Sequence, residues 1–295
     1  MMSSSHSRTA EATAAIRASH LLYDAAPIFV DPYAVCLTSV LWRTVCRSRL
    51  LHQAVVRGLL GALRPVHGWI LVRDQLTQDC LRDFVTRGHA QYVLLGAGFD
   101  SIALRRPDWL REVLIVEVDH PATQVVKLAR LAAIADASSL GPFETVAIDF
   151  ERDRLPAALA RSRYLTDSPA FFAWQGVIYY LTEPAIRDTL AAIAAVAAPG
   201  SELMFDFLLP EHARGRDEGR ALSLARLVTA RMGERYLSYH TPEGITALLD
   251  AHGFEVVEMF SDRRLAATYC AGRSDDLSVM PGFGIALARR RAEPP

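Results

Sequence analysis

Residues 91–119, QYVLLGAGFDSIALRRPDWLREVLIVEVD, constrain the fold more than any other stretch of the chain. An apolar run from Tyr92 to Leu95 stops at Gly96-Ala97-Gly98. A second, from Val113 to Val118, stops at Asp119, 23 residues after Gly96. Continuous apolar runs of this length mark strands covered on both faces, as in a parallel sheet. Glycines let backbone N–H groups come close to a ligand, and a carboxylate ending the next strand can accept both hydroxyls of a ribose. The pair predicts a site for an adenosine-bearing cofactor.

The rest of the chain fits around that unit. Strands are expected near 91–95, 113–118, 143–148, 169–175, 201–208, 254–260 and 282–289, with helices over 121–135, 153–161, 183–197 and 241–252. The alternation predicts an open α/β sheet, mainly parallel, with helices on both faces. Ser261 to Pro281 shows no clear helix, so the last two strands should form an antiparallel hairpin closing one edge. Residues 1–90 read as a helical cap, with helical spacing over Ala10–Tyr23, Tyr33–Val45, Leu50–Leu63 and Trp69–Thr86. Asp31-Pro32 and Arg64-Pro65 act as breaks, and Gly88 as a C-terminal cap. Residues 91–295 form the second unit, in which the arginine-rich segment 210–236 is a helical insertion. Its Arg214, Arg216 and Arg220 read as a solvated face.

With 295 residues, 51% of them hydrophobic, the chain can bury a sizeable core. A net charge of -1 gives no basic excess for nucleic acid. The four cysteines are scattered and the histidines lack metal-ligand spacing, so no metal is expected and a reducing cytoplasm is the natural compartment. The N-terminus lacks a signal-peptide core and no apolar run spans a bilayer, so no membrane partner is expected.

In such sheets the ligand sits at the carboxyl ends of the strands. The candidates are therefore Gly96, Ala97, Gly98 and Asp100 after the first strand, Glu117 and Asp119 on the second, Asp149-Phe150 after the third and Gln175-Gly176 after the fourth. An acid followed by an aromatic would suit an adenine: the carboxylate takes the exocyclic amine and the ring packs on the base. Each has a plainer reading. Glu117 could cap a helix or face solvent, Asp149 could be a helix N-cap, His120 could start a helix, and Tyr179 and Tyr180 could be core aromatics.

Two cofactor classes fit. A dinucleotide wants GxGxxG, and the third glycine is missing from Gly96-Ala97-Gly98-Phe99-Asp100-Ser101. S-adenosylmethionine also needs an acid on the second strand but brings no pyrophosphate. Asp100 would repel a pyrophosphate and tolerate a cationic methionine end, which favours the methyl donor.

At these residues, LLGAGFDSIALRR followed by IVEVDHPATQVVK, the chain resembles the leucine carboxyl methyltransferase-like group of class I S-adenosylmethionine-dependent methyltransferases, in its bacterial O-methyltransferase branch. The resemblance covers most of the chain, including Asp31-Pro32-Tyr33-Ala34 and GVIYYLT from Gly176 to Thr182. It implies a Rossmann-like sheet. It also implies that Arg73 binds the donor's methionine carboxylate, that Gly96, Ala97 and Gly98 border the methionine portion, that Asp119 holds the ribose, and that Asp149 and Phe150 hold the adenine. Many members carry threonine-arginine where this chain has Ser101-Ile102, and glutamate where it has Gln175. A donor pocket less polar near the reacting centre is expected, with Gln175 accepting from the donor's amino group.

The expected reaction is direct SN2 transfer to an acceptor oxygen of a small molecule, a carboxylate first. A carboxylate is ionised at pH 7 and needs no base. A phenol or alcohol acceptor of secondary metabolism would need one, and Tyr180, His120 and His240 are the candidates. The cap and the insertion, with Tyr236 and Tyr239, predict an apolar or aromatic acceptor. From other classes, an NAD-linked oxidoreductase and a non-catalytic nucleotide-binding protein share the fold.

Overall fold

The computed structural model describes residues 7–149, 153–214 and 219–292. A seven-stranded sheet is built from β1 (Gln91–Leu95), β2 (Leu114–Asp119), β3 (Phe143–Ala147), β4 (Phe171–Trp174), β5 (Glu202–Leu208), β6 (Phe254–Ser261) and β7 (Phe283–Arg290). Their spatial order is β3-β2-β1-β4-β5-β7-β6. β1 to β5 run parallel, and β7 enters antiparallel to both β5 and β6. The expected hairpin is present, with the last strand taking the inner place. The order reverses between β1 and β4, so the crevice above their carboxyl ends is where a ligand site belongs.

Before the sheet come α1 (Arg8–Tyr23), α2 (Val40–Arg47), α3 (Arg49–His52) and α4 (Arg64–Thr86). Within and after it come α5 (Ile102–Arg105), α6 (Pro121–Ala132), α7 (Leu155–Leu159), α8 (Glu183–Val196), α9 (Gly219–Arg231), α10 (Pro242–Ala251) and α11 (Asp262–Tyr269). Local chemistry explains several starts. Ser7 Oγ accepts the Ala10 amide at 3.1 Å, and Thr241 Oγ1 accepts that of Gly244 at 3.1 Å, so both cap orphan donors. α4 begins five residues earlier than Trp69, because Pro65 sits in its first turn, where a missing N–H costs nothing.

Three expectations need correction. The stretches 33–45 and 50–63 are not continuous helices. A 3-10 turn (Ala34–Leu37) precedes α2, and α3 runs into a π-helical turn (Gln53–Leu59) and a 3-10 turn (Gly61–Leu63). Ser39 and Ser48 restart helices as N-caps, and Gly58 and Gly61 weaken the helix between. The helix expected over 153–161 is only Leu155–Leu159. The loop before β7 contains α11, capped by Ser261 Oγ on the Arg264 amide. Leu265 is its one buried residue, so no apolar period announced it.

β5 is buried at all seven positions, including Glu202 and Asp206. Phe171, Phe172, Trp174, Phe205 and Phe207 fill the centre of the core. Each contributes roughly 1.5–3 kcal/mol by leaving water. This packing makes the strand ends a rigid platform for the loops above them.

Candidate functional site

A cavity of about 880 Å³ lies above the carboxyl ends of β1, β2 and β4, roofed by α1, α4 and α9. It is large enough for a cofactor and a small substrate together. Gly96 to Asp100, Asp119, His120, Asp149 and Gln175 to Val177 all border it, so the structure brings the expected strand-end residues to one place. Phe150 lies outside the described residues. The glycines are needed sterically. Gly96 and Gly98 have φ of +73° and +50°, and a Cβ would meet Val177 Cγ2 at 2.7 Å and Ala10 Cβ at 2.9 Å respectively. The turn is thus pressed between the β4 loop and α1.

Asp119 is the hinge of this turn. One carboxylate oxygen accepts the Gly98 amide and the other accepts the His120 amide at 2.6 Å. Its remaining lone pairs border the cavity, where they can accept further hydroxyl donors. Burial raises its pKa above the ordinary value, against the opposing pull of those two amides. Glu117 neither caps a helix nor faces solvent. It is buried and paired with the equally buried Lys127 of α6, and burial pushes its pKa to about 7. It shares a face of β2 with Asp119 but lies one pleat further from the strand end, where Lys127 holds it below the cavity.

The amide group of Gln175 is buried at the cavity wall, and neither Oε1 nor Nε2 has a protein partner. Arg73 lies beside it, close enough that a Cβ on Gly176 would sit 2.9 Å from Nη1. Arg73 is not idle: Nη1 donates to Asp206 Oδ2 at 3.1 Å, and Nη2 to Asp74 Oδ1 at 3.3 Å. Asp206 also accepts from Trp69 Nε1 at 3.3 Å and from the Gly176 amide at 2.6 Å. Asp206 organises this end of the site, and sequence reasoning missed it. An acid inside the run ELMFDFL was the available signal, since a buried carboxylate needs partners.

Arg17 was missed as well. From α1 it donates to Asp31 Oδ2 at 2.9 Å, Asp74 Oδ2 at 3.3 Å and the Phe99 carbonyl at 2.7 Å. Asp31 also accepts from Ser101 Oγ and the Tyr33 amide, at 2.6 and 3.2 Å, and lies 3.9 Å from Arg105 Nε. The pocket is therefore not depleted of charge by Ser101-Ile102. Arg105, one turn later, reaches Ser101 Oγ at 2.9 Å and lies 3.8 Å from Asp100. Burial alone would raise Asp100, but Arg105, Arg17 and Lys127 outweigh it and hold its pKa low.

The expected proton acceptors fare differently. His120 is the N-cap of α6, its Nδ1 accepting the Ala122 amide at 3.2 Å. His240 does not line the cavity; its Nε2 sits 3.3 Å from Glu183. Tyr179, Tyr180 and Tyr236 form a ring cluster on the cavity wall, with centroids 4.7 to 5.4 Å apart. Burial raises the Tyr180 and Tyr179 phenols far above 10. Asp149 is not the cap of α7, whose N-cap is Arg154. His67 of α4 went unnoticed: it is buried and lines the cavity. Burial first, then the charge of Arg64, lowers its pKa to about 3. Arg214 lies over the Tyr239 ring at 5.4 Å rather than on a solvated face. Arg216 and the Arg220 side chain lie outside the described residues. No group of three potential metal ligands occurs among the described residues.

Strand order and site location together define the class I methyltransferase fold. Residues 10–194 match the leucine carboxyl methyltransferase family, and the chain belongs to it. YktD of Bacillus subtilis (strain 168), named provisionally as an S-adenosyl-L-methionine-dependent methyltransferase, is 25% identical over 294 residues, covering 95% of this chain and 96% of YktD. A Mycolicibacterium paratuberculosis protein with the same provisional designation is 34% identical over 195 residues, 65% of this chain and 71% of that one. Among solved structures, a Thermobifida fusca protein titled as a provisional methyltransferase superposes with a TM-score of 0.57 at 18% identity, covering 91% of this chain and 95% of that one. A DUF574 protein from Streptomyces avermitilis gives 0.58 at 14%, covering 93% and 100%.

Proposed function

We propose that the protein transfers the methyl group of S-adenosylmethionine to a carboxylate oxygen of a small, largely apolar acid. The protein is an S-adenosylmethionine-dependent methyltransferase, the activity for which its relatives are named. The observation that carries the donor assignment is Gln175, whose buried amide lacks a protein partner at the cavity wall. Unpaired buried polar atoms are costly, and at the wall of a cavity a bound ligand can supply the partner. Charge agrees. Around the glycine turn the carboxylates of Asp31, Asp74, Asp100 and Asp206 face the guanidiniums of Arg17, Arg73 and Arg105. With Asp119 on the same turn, carboxylates outnumber guanidiniums there, which suits a donor with net positive charge and repels a pyrophosphate.

In this reading Gln175 Oε1 takes the donor's ammonium and Arg73 its carboxylate. The turn at Gly96, Ala97 and Gly98 borders the methionine chain. Asp119 holds the ribose, and Asp149, with Phe150, the adenine. When bound, the donor supplies an electrophilic methyl on a sulfonium. The chain's own contribution is alignment and exclusion of water by α1, α4 and α9. An acceptor carboxylate arrives ionised. Tyr179 and Tyr180 stay protonated, and the Tyr179 hydroxyl already donates to Asp206 Oδ2 at 3.5 Å, so neither phenol serves as a base. His120 commits Nδ1 to the α6 cap. With both phenols held protonated, an acceptor that needs no base fits best.

One observation favours a second reading. His67 presents a neutral imidazole at the cavity wall. It is the unprotonated imidazole that a phenol or alcohol acceptor would meet there, though burial leaves it a weak base.

Calorimetry with S-adenosylhomocysteine, with NADH in parallel, tests the donor site. Micromolar binding of the first alone, lost in Asp119→Ala, is expected. Binding of NADH instead would overturn the reading. A screen of carboxylic acids and phenols with methyl-labelled donor then separates the acceptor classes. Carboxylate turnover should survive His67→Gln, whereas phenol turnover should not.

A further inference from the structure

The four most exposed large apolar residues described in the protein fall within 20 positions. They are Val40 at 77%, Leu41 at 71%, Leu50 at 79% and Leu59 at 79% of full exposure. On α2 the exposed positions 40, 41, 44 and 47 recur at helical spacing, while Val45 and Cys46 face the core. α3 follows after the single residue Ser48, with Arg49, Leu50 and Leu51 exposed and His52 buried. A monomeric soluble protein rarely concentrates bare leucines in this way unless the face meets something.

Charge identifies the partner. Between Asp31 and Asp74 the chain holds no acidic residue, but it holds arginines at 43, 47, 49, 57, 64 and 73. Arg57 and Arg64 pair with Asp24 and Asp276, and Arg73 with Asp206. Arg43 donates to the carbonyls of Cys36 and Thr38. Arg47 and Arg49 stay exposed, with no acidic partner among the described residues. A two-fold contact between copies would set this face against itself, arginine against arginine, with no acid to compensate. An anionic lipid surface satisfies both halves: acyl chains take the leucines and headgroups the arginines.

We propose that the surface of α2, α3 and the π-helical turn after them, carrying Val40, Leu41, Arg47, Arg49, Leu50 and Leu59, docks on an anionic membrane surface without crossing it. No single helix among the described residues is long and apolar enough to span a bilayer. The same segment continues through Leu63, which lines the cavity, so docking sets the acceptor chamber beside the lipid. The inference stands on surface chemistry and does not depend on the identity of the acceptor.

The test is co-sedimentation of the full-length protein with vesicles of phosphatidylcholine, alone or mixed with phosphatidylglycerol, at low and high salt. Partitioning to the anionic vesicles only, weakened by salt, is expected. Arg47→Glu/Arg49→Glu should reduce it by at least about 30-fold, taking roughly tenfold per 1.4 kcal/mol and about 1 kcal/mol per arginine. Leu41→Asp/Leu50→Asp should abolish it, with an unchanged melting temperature showing that the fold is intact. Failure of the wild type to bind anionic vesicles, or binding unaffected by both variants, would overturn the proposal. So would self-association in sedimentation velocity that the same variants remove while no lipid is bound.

Discussion

Arg73 and Asp206, 133 positions apart, meet at 3.1 Å with both side chains buried. Their contact ties the long cap helix to β5, an inner strand of the sheet. Because Asp206 also accepts the Gly176 amide, the pair fixes the β4 loop on which Gln175 sits. Removing one partner of a buried pair leaves an uncompensated charge, at about 3–5 kcal/mol. Asp206→Ala should therefore lower stability by that order in urea denaturation. Asp206→Asn keeps an acceptor for Gly176 but leaves Asp74 as the only carboxylate on Arg73 among the described residues, so it should lose less stability and still weaken S-adenosylhomocysteine binding in calorimetry. An alanine variant as stable as the parent would remove Asp206 from this role.

Gly98 carries two separate demands, a φ of +50° and a Cβ approach of 2.9 Å to Ala10. Gly98→Ala should cost about 1–3 kcal/mol and weaken donor binding. The double variant Ala10→Gly/Gly98→Ala relieves the contact but not the backbone strain. Thermal denaturation of the cycle should show recovery of part of the loss. Full recovery would mean that the left-handed conformation carries no strain here.

Arg17 holds α1 on the glycine turn through Asp31, Asp74 and the Phe99 carbonyl. Arg17→Met should destabilise by about 3–5 kcal/mol. The loss should be local. Hydrogen exchange should accelerate over Arg8–Tyr23 well before it does in β1, and bound S-adenosylhomocysteine should slow it again. Equal acceleration in both elements would mean that α1 and the sheet open as one unit.

His67 makes stability pH-dependent with a defined sign. Its pKa falls from 6.5 to about 3 on folding, through burial and then Arg64. Over that window the unfolded chain binds a proton that the folded protein refuses. Stability is thus complete above the unfolded value and falls with acidification, by up to about 1.4 kcal/mol per pH unit. His67→Gln should lose less stability than the parent between about pH 7 and about pH 5 in urea titrations. Equal losses would place His67 in a solvated environment.

The sheet and its switch point were legible because buried parallel strands leave continuous apolar runs, and Gly96, Gly98 and Asp119 stand where those runs stop. The corrections come from elements with weaker signatures. α11 buries one leucine, so it has no period to read. The cap helices break at serines that serve equally well as surface residues. Asp206 and Arg17 were hidden for a different reason. Their importance lies in pairing across 133 and 57 positions, to Arg73 and Asp74, and one chain read linearly carries no signal of which charge meets which. His67 shares a helix face with Ile70 and Asp74, and only the cavity beside it distinguishes it from an ordinary core histidine.

The placement of β7 has a consequence for synthesis. Residues 283–290 pair with β5 on one side and β6 on the other, yet they follow every other strand in the chain. Until they leave the ribosome, β5 keeps an open edge and β6 has no neighbour in the sheet. Assembly of the sheet is therefore gated by its last strand, and a nascent chain stopped before Phe283 presents an unpaired β5 edge to any extended segment it meets.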